Sequence, residues 1–165
     1  MKRSGSISVG IILFFSSMCF GQATANFTAS VTIIQPVGIS TTSNMDFANL
    51  DASSGGEVIL TPDNARITTG GIELAEGGQV SAATFEVTGQ AGFTFAITLP
   101  EDQYTLSNGS ENIIIKDFTS NYDGTGLLAQ GSQRISVGAT LDIDPNQSPG
   151  KYVNQAPLNV TVNYN

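Results

Sequence analysis

The chain has 165 residues, with 14 carboxylates against 6 lysines and arginines and neither histidine nor tryptophan, so its formal net charge at pH 7 is −8. Without histidine it lacks the usual base that titrates near neutrality, which excludes Ser-His-Asp sites, Cys-His sites and His-based zinc sites. The excess of carboxylates argues against nucleic acid and anionic membranes as partners.

The first 25 residues have the three-part layout of a secretory signal peptide. Two cations stand at the start, an apolar run covers residues 7–15, and Ala23-Thr24-Ala25 forms an A-x-A cleavage pattern. The alternative is an earlier cleavage, after Gly21. The apolar run is too short to span a bilayer. We therefore expect an exported chain without direct membrane insertion, whose residues 26–165 form a single β-sandwich domain. This mature chain has no cysteine, because the only one, Cys19, lies in the signal.

After the signal peptide, sequence patterns typical of helices are nearly absent, and short β-rich runs recur about every ten to fifteen residues. This spacing is typical of an all-β sandwich or barrel. The first run, residues 25–34, alternates, with Phe27, Ala29, Val31 and Ile33 on one face. Pro36 ends it, and further short strands are predicted at residues 37–39, 57–61, 65–69, 71–74, 104–106 and 112–118.

The middle of the chain carries the strongest hairpin pattern. Residues 83–88 alternate, the glycine-containing connection 89–92 follows, and Phe93, Phe95, Ile97 and Leu99 form a returning apolar face. We expect these strands at the centre of the core.

Residues 135–165 predict two strands joined by a Gly/Pro turn. The first has five apolar residues at alternate positions from residue 135 to residue 143. In the second, Leu158, Val160, Val162 and Tyr164 alternate with polar residues. Each segment therefore has one apolar face and one polar face.

No catalytic or metal site is predicted. The adjacent carboxylates Glu101 and Asp102 follow a proline in a predicted loop, where such pairs usually solvate a turn. Residues 142–146 imitate the start of a calcium loop, but Gln147 and Val153 stand where that loop needs Gly and Glu. We therefore expect no enzyme activity and no cofactor.

Several stretches together resemble a known family. They are Met45-Asp46-Phe47, Ala83-Thr84-Phe85-Glu86-Val87-Thr88-Gly89, Phe95-Ala96-Ile97-Thr98-Leu99-Pro100, Val137-Gly138-Ala139-Thr140-Leu141, and Gly150-Lys151-Tyr152 through Val160-Thr161-Val162-Asn163-Tyr164. Their order resembles a family of secreted bacterial domains of unknown function that lies near spore coat protein U and the subunits of chaperone–usher pili.

The resemblance implies an immunoglobulin-like, pilin-like antiparallel β-sandwich. It further implies an exported, non-catalytic structural subunit of a pilus-like or cell-surface assembly, located in the periplasm, at the outer surface or in an extracellular fibre of a Gram-negative bacterium. The partners implied are a periplasmic chaperone and like subunits. Gly150 and Tyr164 are similar to the positions that contact the chaperone in pilus subunits, with Leu158, Val160 and Val162 as the alternating set.

Two alternatives stay open at this point. The first concerns the alternating run before Pro36, which forms either the first strand of this domain or a strand donated to a neighbour, through Phe27, Ala29, Val31 and Ile33. The chain also departs from pilins because the cysteine pair usual in pilins is missing. The second alternative is a self-contained surface module that binds carbohydrate or protein, for which the aromatic candidates are Tyr104 and, in a loop predicted over residues 121–126, Tyr122.

Overall fold

The structure, a computed structural model, describes residues 21–165, so most of the predicted signal peptide lies outside the described residues. The chain divides into two units, Met1–Thr32 and Ile33–Asn165. In the first unit, residues 21–32 contain no helix or strand and all are exposed. Among the described residues, no helix is long and apolar enough to cross a membrane.

The second unit is built from antiparallel β-strands. In chain order they are β1 (Gly38–Ser43), β2 (Leu50–Asp51), β3 (Gly56–Leu60), β4 (Arg66–Thr68), β5 (Glu73–Leu74), β6 (Ala83–Thr88), β7 (Thr94–Thr98), β8 (Tyr104–Ser107), β9 (Asn112–Ser120), β10 (Thr125–Leu127), β11 (Ser132–Ile143), β12 (Val153–Asn154) and β13 (Thr161–Tyr164). The all-β prediction is therefore confirmed.

The main sheet is strongly curled, like half a barrel, and has eight strands. Six of them follow the order β1-β6-β11-β9-β8-β12, while β3 pairs with β11 and carries β4 on its other edge. A second sheet has the order β10-β7-β13, and β2 and β5 form a two-stranded ribbon.

Strand β11 is the centre of the main sheet. Its first half pairs with β6 and its second half with β3, while β9 pairs along the other edge. Gly138 lies where β6 gives way to β3, and a Cβ atom there would collide with the carbonyl oxygen of Leu60. A glycine is needed at this point because the neighbouring backbone approaches so closely.

Two clusters of buried side chains form the core. Val58, Leu60, Ile115 and Leu141 belong to the first, while Val87, Phe95, Leu128, Ile135 and Val162 belong to the second. The five apolar residues predicted to line one face of β11 are all at most 4% exposed. Burial of a large apolar side chain stabilises a fold by about 1.5–3 kcal/mol, so this strand contributes strongly to both clusters.

The predicted hairpin is wrong in its pairing, although both strands exist. Strand β6 lies in the main sheet, whereas β7 lies in the second sheet between β10 and β13. The connection 89–92 therefore turns the chain from one sheet to the other. Alternation shows which face of each strand is apolar, but it does not show which strand is the pairing partner. Two strands of a hairpin and two strands in facing sheets have the same pattern.

The predicted terminal pair also separates, since β11 belongs to the main sheet and β13 to the second. The predicted strand over residues 25–34 is absent, because residues 21–37 contain no strand. Three strands were missed: β10, which falls partly in a predicted loop, and β2 and β12, which have only two residues each.

A β-bulge changes the side-chain alternation of β9. Asp117 and Phe118 together oppose the single residue Ala139 of β11, and Asp117 has a φ of 51°. With strict alternation Asp117 would share the inward face of Ile113 and Ile115, and Phe118 would point outwards. The extra residue reverses this, so Phe118 packs against both core clusters and Asp117 is exposed.

Candidate functional site

The C-terminal strand β13 has one unpaired edge. It pairs with β7 over Thr161–Thr98 to Tyr164–Phe95, and no other described strand pairs with it. Val162 is buried, while Leu158, Val160 and Tyr164 are half-buried, so the predicted alternation is present. Gly150 lies apart, in the loop between β11 and β12, opposite Asn108.

Tyr164 is used within its own domain. Its hydroxyl accepts a hydrogen bond from the backbone N–H of Gln90 at 2.6 Å and donates one to the carbonyl of Gln35 at 2.6 Å. Its ring packs edge-on against Phe93, with ring centres 5.5 Å apart. Gly89 leaves room for this contact, since a Cβ atom there would collide with the Tyr164 hydroxyl. Tyr164 therefore joins the end of β13 to the segments before β1 and after β6.

A cleft opens between the end of β7 and the end of β9, and we call it the β7–β9 cleft. Two adjoining pockets of about 430 and 540 Å³ form it, and both are lined by Ile97, Leu99 and Phe118. Tyr122 lines the larger pocket. All four side chains are half-buried, so the cleft has an apolar floor that solvent still reaches.

The rim of this cleft is acidic. Glu101 and Asp117 line the smaller pocket and Asp123 lines the larger one, and all three are exposed. Within residues 21–165, the ion pairs found join Lys116 to other carboxylates, so no cation neutralises this rim. The described residues include no group of three or more potential ligands placed to hold a metal ion.

The two aromatic candidates for a sugar site differ in their surroundings. Tyr104 lies in β8, where its half-buried ring packs against the first core cluster and edge-on against Phe118, with ring centres 6.1 Å apart. Tyr122 leans on Phe95 at 6.4 Å and also faces the cleft. Of the two, Tyr122 lines the β7–β9 cleft and Tyr104 does not.

A polar cluster ties the β8–β9 turn to the loop after β11. The carboxylate of Glu111 accepts hydrogen bonds from the backbone N–H of Ser148 at 2.8 Å, from the Ser148 hydroxyl at 2.7 Å and from Gln147 Nε2 at 2.9 Å. The two bonds from Ser148, first the one from its backbone, hold the pKa of the Glu111 carboxyl below its usual value of 4.5. Sequence reasoning missed this cluster because its members lie 37 residues apart.

A second charged cluster lies on the outer face of the main sheet. Lys116 Nζ lies 2.9 Å from Glu57 Oε1 and 3.0 Å from Asp142 Oδ2. Hydrogen bonds to these carboxylates, Glu57 first, raise the pKa of Lys116 well above its usual value. Because Glu57 and Asp142 are directly opposed on β3 and β11, Lys116 separates two like charges.

The cleft was missed at the sequence level for a different reason. Ile97 and Leu99 alternate as core residues, and nothing in their spacing shows that the pairing of β10 with β7 ends at Ala96. The sequence Lys116-Asp117-Phe118 does contain a usable indication. Alternation assigns position 117 of β9 to the apolar face, but the residue there is the charged Asp117, and such a mismatch indicates a β-bulge.

Comparison with known proteins gives one finding about the family. No curated protein and no solved structure matches the chain. No named relative links it to spore coat protein U or to pilin subunits, so that part of the resemblance stays a prediction. The match covers the whole stranded region from the start of β1 to the end of β13. The chain belongs to the family described as Domain of unknown function (DUF4402), which it matches over residues 37–164.

Proposed function

We propose that this chain is an exported, non-catalytic structural subunit of a pilus-like or cell-surface assembly. In this proposal its fold is an immunoglobulin-like sandwich, and its subunits interact by β-strand addition. The chain works in the periplasm, at the outer surface or in a fibre of a Gram-negative bacterium, with a periplasmic chaperone and like subunits as partners.

The observation that carries the proposal is the exposure of the alternating N-terminal segment, residues 26–34. Phe27 and Ile33 are 91% exposed and Val31 is 87% exposed, in a stretch without a strand. Contiguous exposed apolar side chains are typical of interaction sites. An extended segment of this kind can add a strand to a sheet edge, where backbone hydrogen bonds provide affinity and alternate side chains provide specificity.

The arrangement of strands in the Ile33–Asn165 unit supports the immunoglobulin-like interpretation. The run β1-β6-β11-β9 and the sheet β10-β7-β13 contribute side chains to a common core cluster, as the two sheets of a sandwich do. The open edge of β13, with Leu158, Val160 and Val162 in alternation, supports its role as the strand that contacts the chaperone.

The first experiment tests whether the segment drives association. The mature chain 26–165 and its Val31→Asp variant are compared by size-exclusion chromatography and electron microscopy over a range of concentrations. We expect the mature chain to form concentration-dependent assemblies and Val31→Asp to remain monomeric. Ser30→Asp is the matched control, because it adds the same charge on the opposite side of the segment and should still assemble.

A shortened chain that starts at Gln35 provides the second test. It keeps every described strand and both core clusters. We expect it to be monomeric and to bind a peptide of residues 26–34. Strand donation is refuted if both chains are monomeric and equally stable and the peptide does not bind.

A further inference from the structure

We propose that the β7–β9 cleft receives the N-terminal segment of a second copy of this chain, with the α-amino group of Asn26 at the acidic rim. This inference rests on the proposed function, and specifically on cleavage after Ala25 and on strand donation. It adds the place where the donated strand binds and the charge that orients it.

The cleft is bounded by two backbone edges that lack a partner strand. Strand β10 pairs with β7 over residues 94–96, and one further bond joins the Ile97 N–H to the Gly124 carbonyl. Beyond it, residues 98–101 have no described partner strand on that edge. Strand β8 pairs with residues 112–115 of β9, so residues 116–120 are unpaired on the same edge.

The size of this gap fits the alternating part of the segment. The unpaired stretches have four residues (98–101) and five residues (116–120), and Phe27 to Val31 also spans five. Hydrogen-bonded strands lie about 4.7–4.9 Å apart, so a segment that lies at this distance from one of the two unpaired edges can form backbone hydrogen bonds with it. Backbone groups that are now unpaired thereby gain partners.

The floor of the cleft matches the apolar face of the segment. Ile97, Leu99, Phe118 and Tyr122 are only half-buried, although they pack against the second core cluster. A strand lying over them with Phe27, Ala29 and Val31 facing inwards removes apolar surface of both partners from water. Such burial is the main driving force of protein association.

Charge determines the direction of the segment. Residues 26–34 contain no charged side chain, and cleavage after Ala25 leaves one positive charge, the α-amino group of Asn26, next to Phe27. The rim carboxylates Glu101, Asp117 and Asp123 have no cation partner among the described residues. Two of these three carboxylates, Glu101 and Asp117, line the smaller pocket. The orientation with Asn26 at that pocket therefore brings the one cation of the segment to the more acidic part of the rim.

The gap between β1 and β13 is a poorer receiver. Those two strands already contact each other, and the Tyr164 hydroxyl bonds to the Gln35 carbonyl just before β1. A strand inserted there must break that hydrogen bond. The β7–β9 cleft requires no such loss.

The first test measures binding of the segment and the role of its charge. The receiver is the mature Val31→Asp chain, whose own segment is disabled, and the probe is a peptide of residues 26–34 labelled at its C-terminal end. Fluorescence anisotropy is measured with a free or an acetylated N-terminus. We expect acetylation to weaken binding about two- to fivefold, the range of a solvent-screened ion pair.

The rim is then neutralised by Glu101→Gln, Asp117→Asn and Asp123→Asn in the same receiver. These changes should weaken the binding of the peptide with a free N-terminus by a similar factor and leave the binding of the acetylated peptide unchanged. The matched control neutralises three exposed carboxylates away from the cleft, with Asp63→Asn, Glu73→Gln and Glu76→Gln. Equal losses in both triple variants refute the proposed orientation.

A cross-linking experiment locates the bound strand. Peptides with a single cysteine at Thr28 or Ser30 are incubated with oxidised glutathione and a Val31→Asp receiver that carries Thr98→Cys, Thr161→Cys or Ser40→Cys. These three receiver positions are exposed outward-facing residues of β7, β13 and β1. Residues on paired strands lie within the Cα separation that a disulfide needs.

We expect a disulfide at Thr98→Cys and little at the other two positions. A disulfide at Thr161→Cys or Ser40→Cys instead overturns the cleft and leaves strand donation intact. If the peptide neither binds nor cross-links, both the cleft and the proposed function fail. Competition by a neutral oligosaccharide that displaces the peptide would assign the cleft to a sugar and would also overturn the inference.

Discussion

The hydroxyl of Tyr164 provides a direct test of whether the end of β13 is occupied within its own domain. The variant Tyr164→Phe keeps the ring on Phe93 and removes the hydrogen bonds to Gln90 and Gln35. Each hydrogen bond contributes about 0.5–1.5 kcal/mol to stability. Gln35 is exposed, so water can replace part of its bond. We therefore expect a loss of roughly 1–2 kcal/mol in the free energy of unfolding.

The measurement is urea unfolding of the monomeric chain that starts at Gln35. With a slope near 2 kcal/mol per M, the midpoint should fall by roughly 0.5–1 M at constant slope. Tyr104→Phe is the control, because the Tyr104 hydroxyl makes no hydrogen bond among the described residues, and its midpoint should hardly move. If Tyr164→Phe is as stable as the parent but loses binding to a partner, the hydroxyl belongs to assembly and our assignment is wrong.

Three further changes test the framework that holds the site. Gly138→Ala should cost about 1–3 kcal/mol, the usual range for overpacking, because its methyl group meets the Leu60 carbonyl; an unchanged urea midpoint would contradict this. Glu111→Gln should lower stability at pH 7, and this loss should shrink as the pH falls below 4.5. The folded pKa lies below 4.5, so the contribution of the carboxylate is fully present above that pH and disappears as the pH falls through the folded pKa. A loss that does not change with pH excludes the mechanism. Lys116→Gln should destabilise the chain at neutral pH by leaving two opposed carboxylates, and 1 M NaCl should restore part of the stability; a loss insensitive to salt argues for packing instead.

Local alternation predicted most strands but not their pairing. The faces of β11 and β13 could be read from residues 135–143 and 158–164, because burial on one side selects every second residue. The same pattern does not reveal which sheet a strand joins. Val87 and Phe95 share a core cluster whether their strands pair or face each other, so the hairpin prediction failed although both residues were correctly expected in the core. Phe93, expected on the same apolar face, is 39% exposed.

The candidate site was only partly accessible from the sequence. Tyr164 could be selected as the end of an alternating strand, but its bonds to Gln90 and Gln35 connect positions 74 and 129 residues away. The N-terminal segment could be recognised as apolar and alternating, whereas its exposure depends on what the rest of the chain leaves unpaired. Long-range contacts of this kind have no local signal.

The bulge at Asp117 bears on how other members of the family should be aligned. In the sequence, residue 117 looks like part of a regular strand. In the structure it is an extra residue relative to β11, so the next inward-facing side chain comes one position later than strict alternation predicts. A relative that lacks this residue should show its apolar positions shifted by one from Phe118 onwards, up to the loop at residue 121. Gaps placed in that loop instead would superimpose core residues of one protein on solvent-facing residues of another.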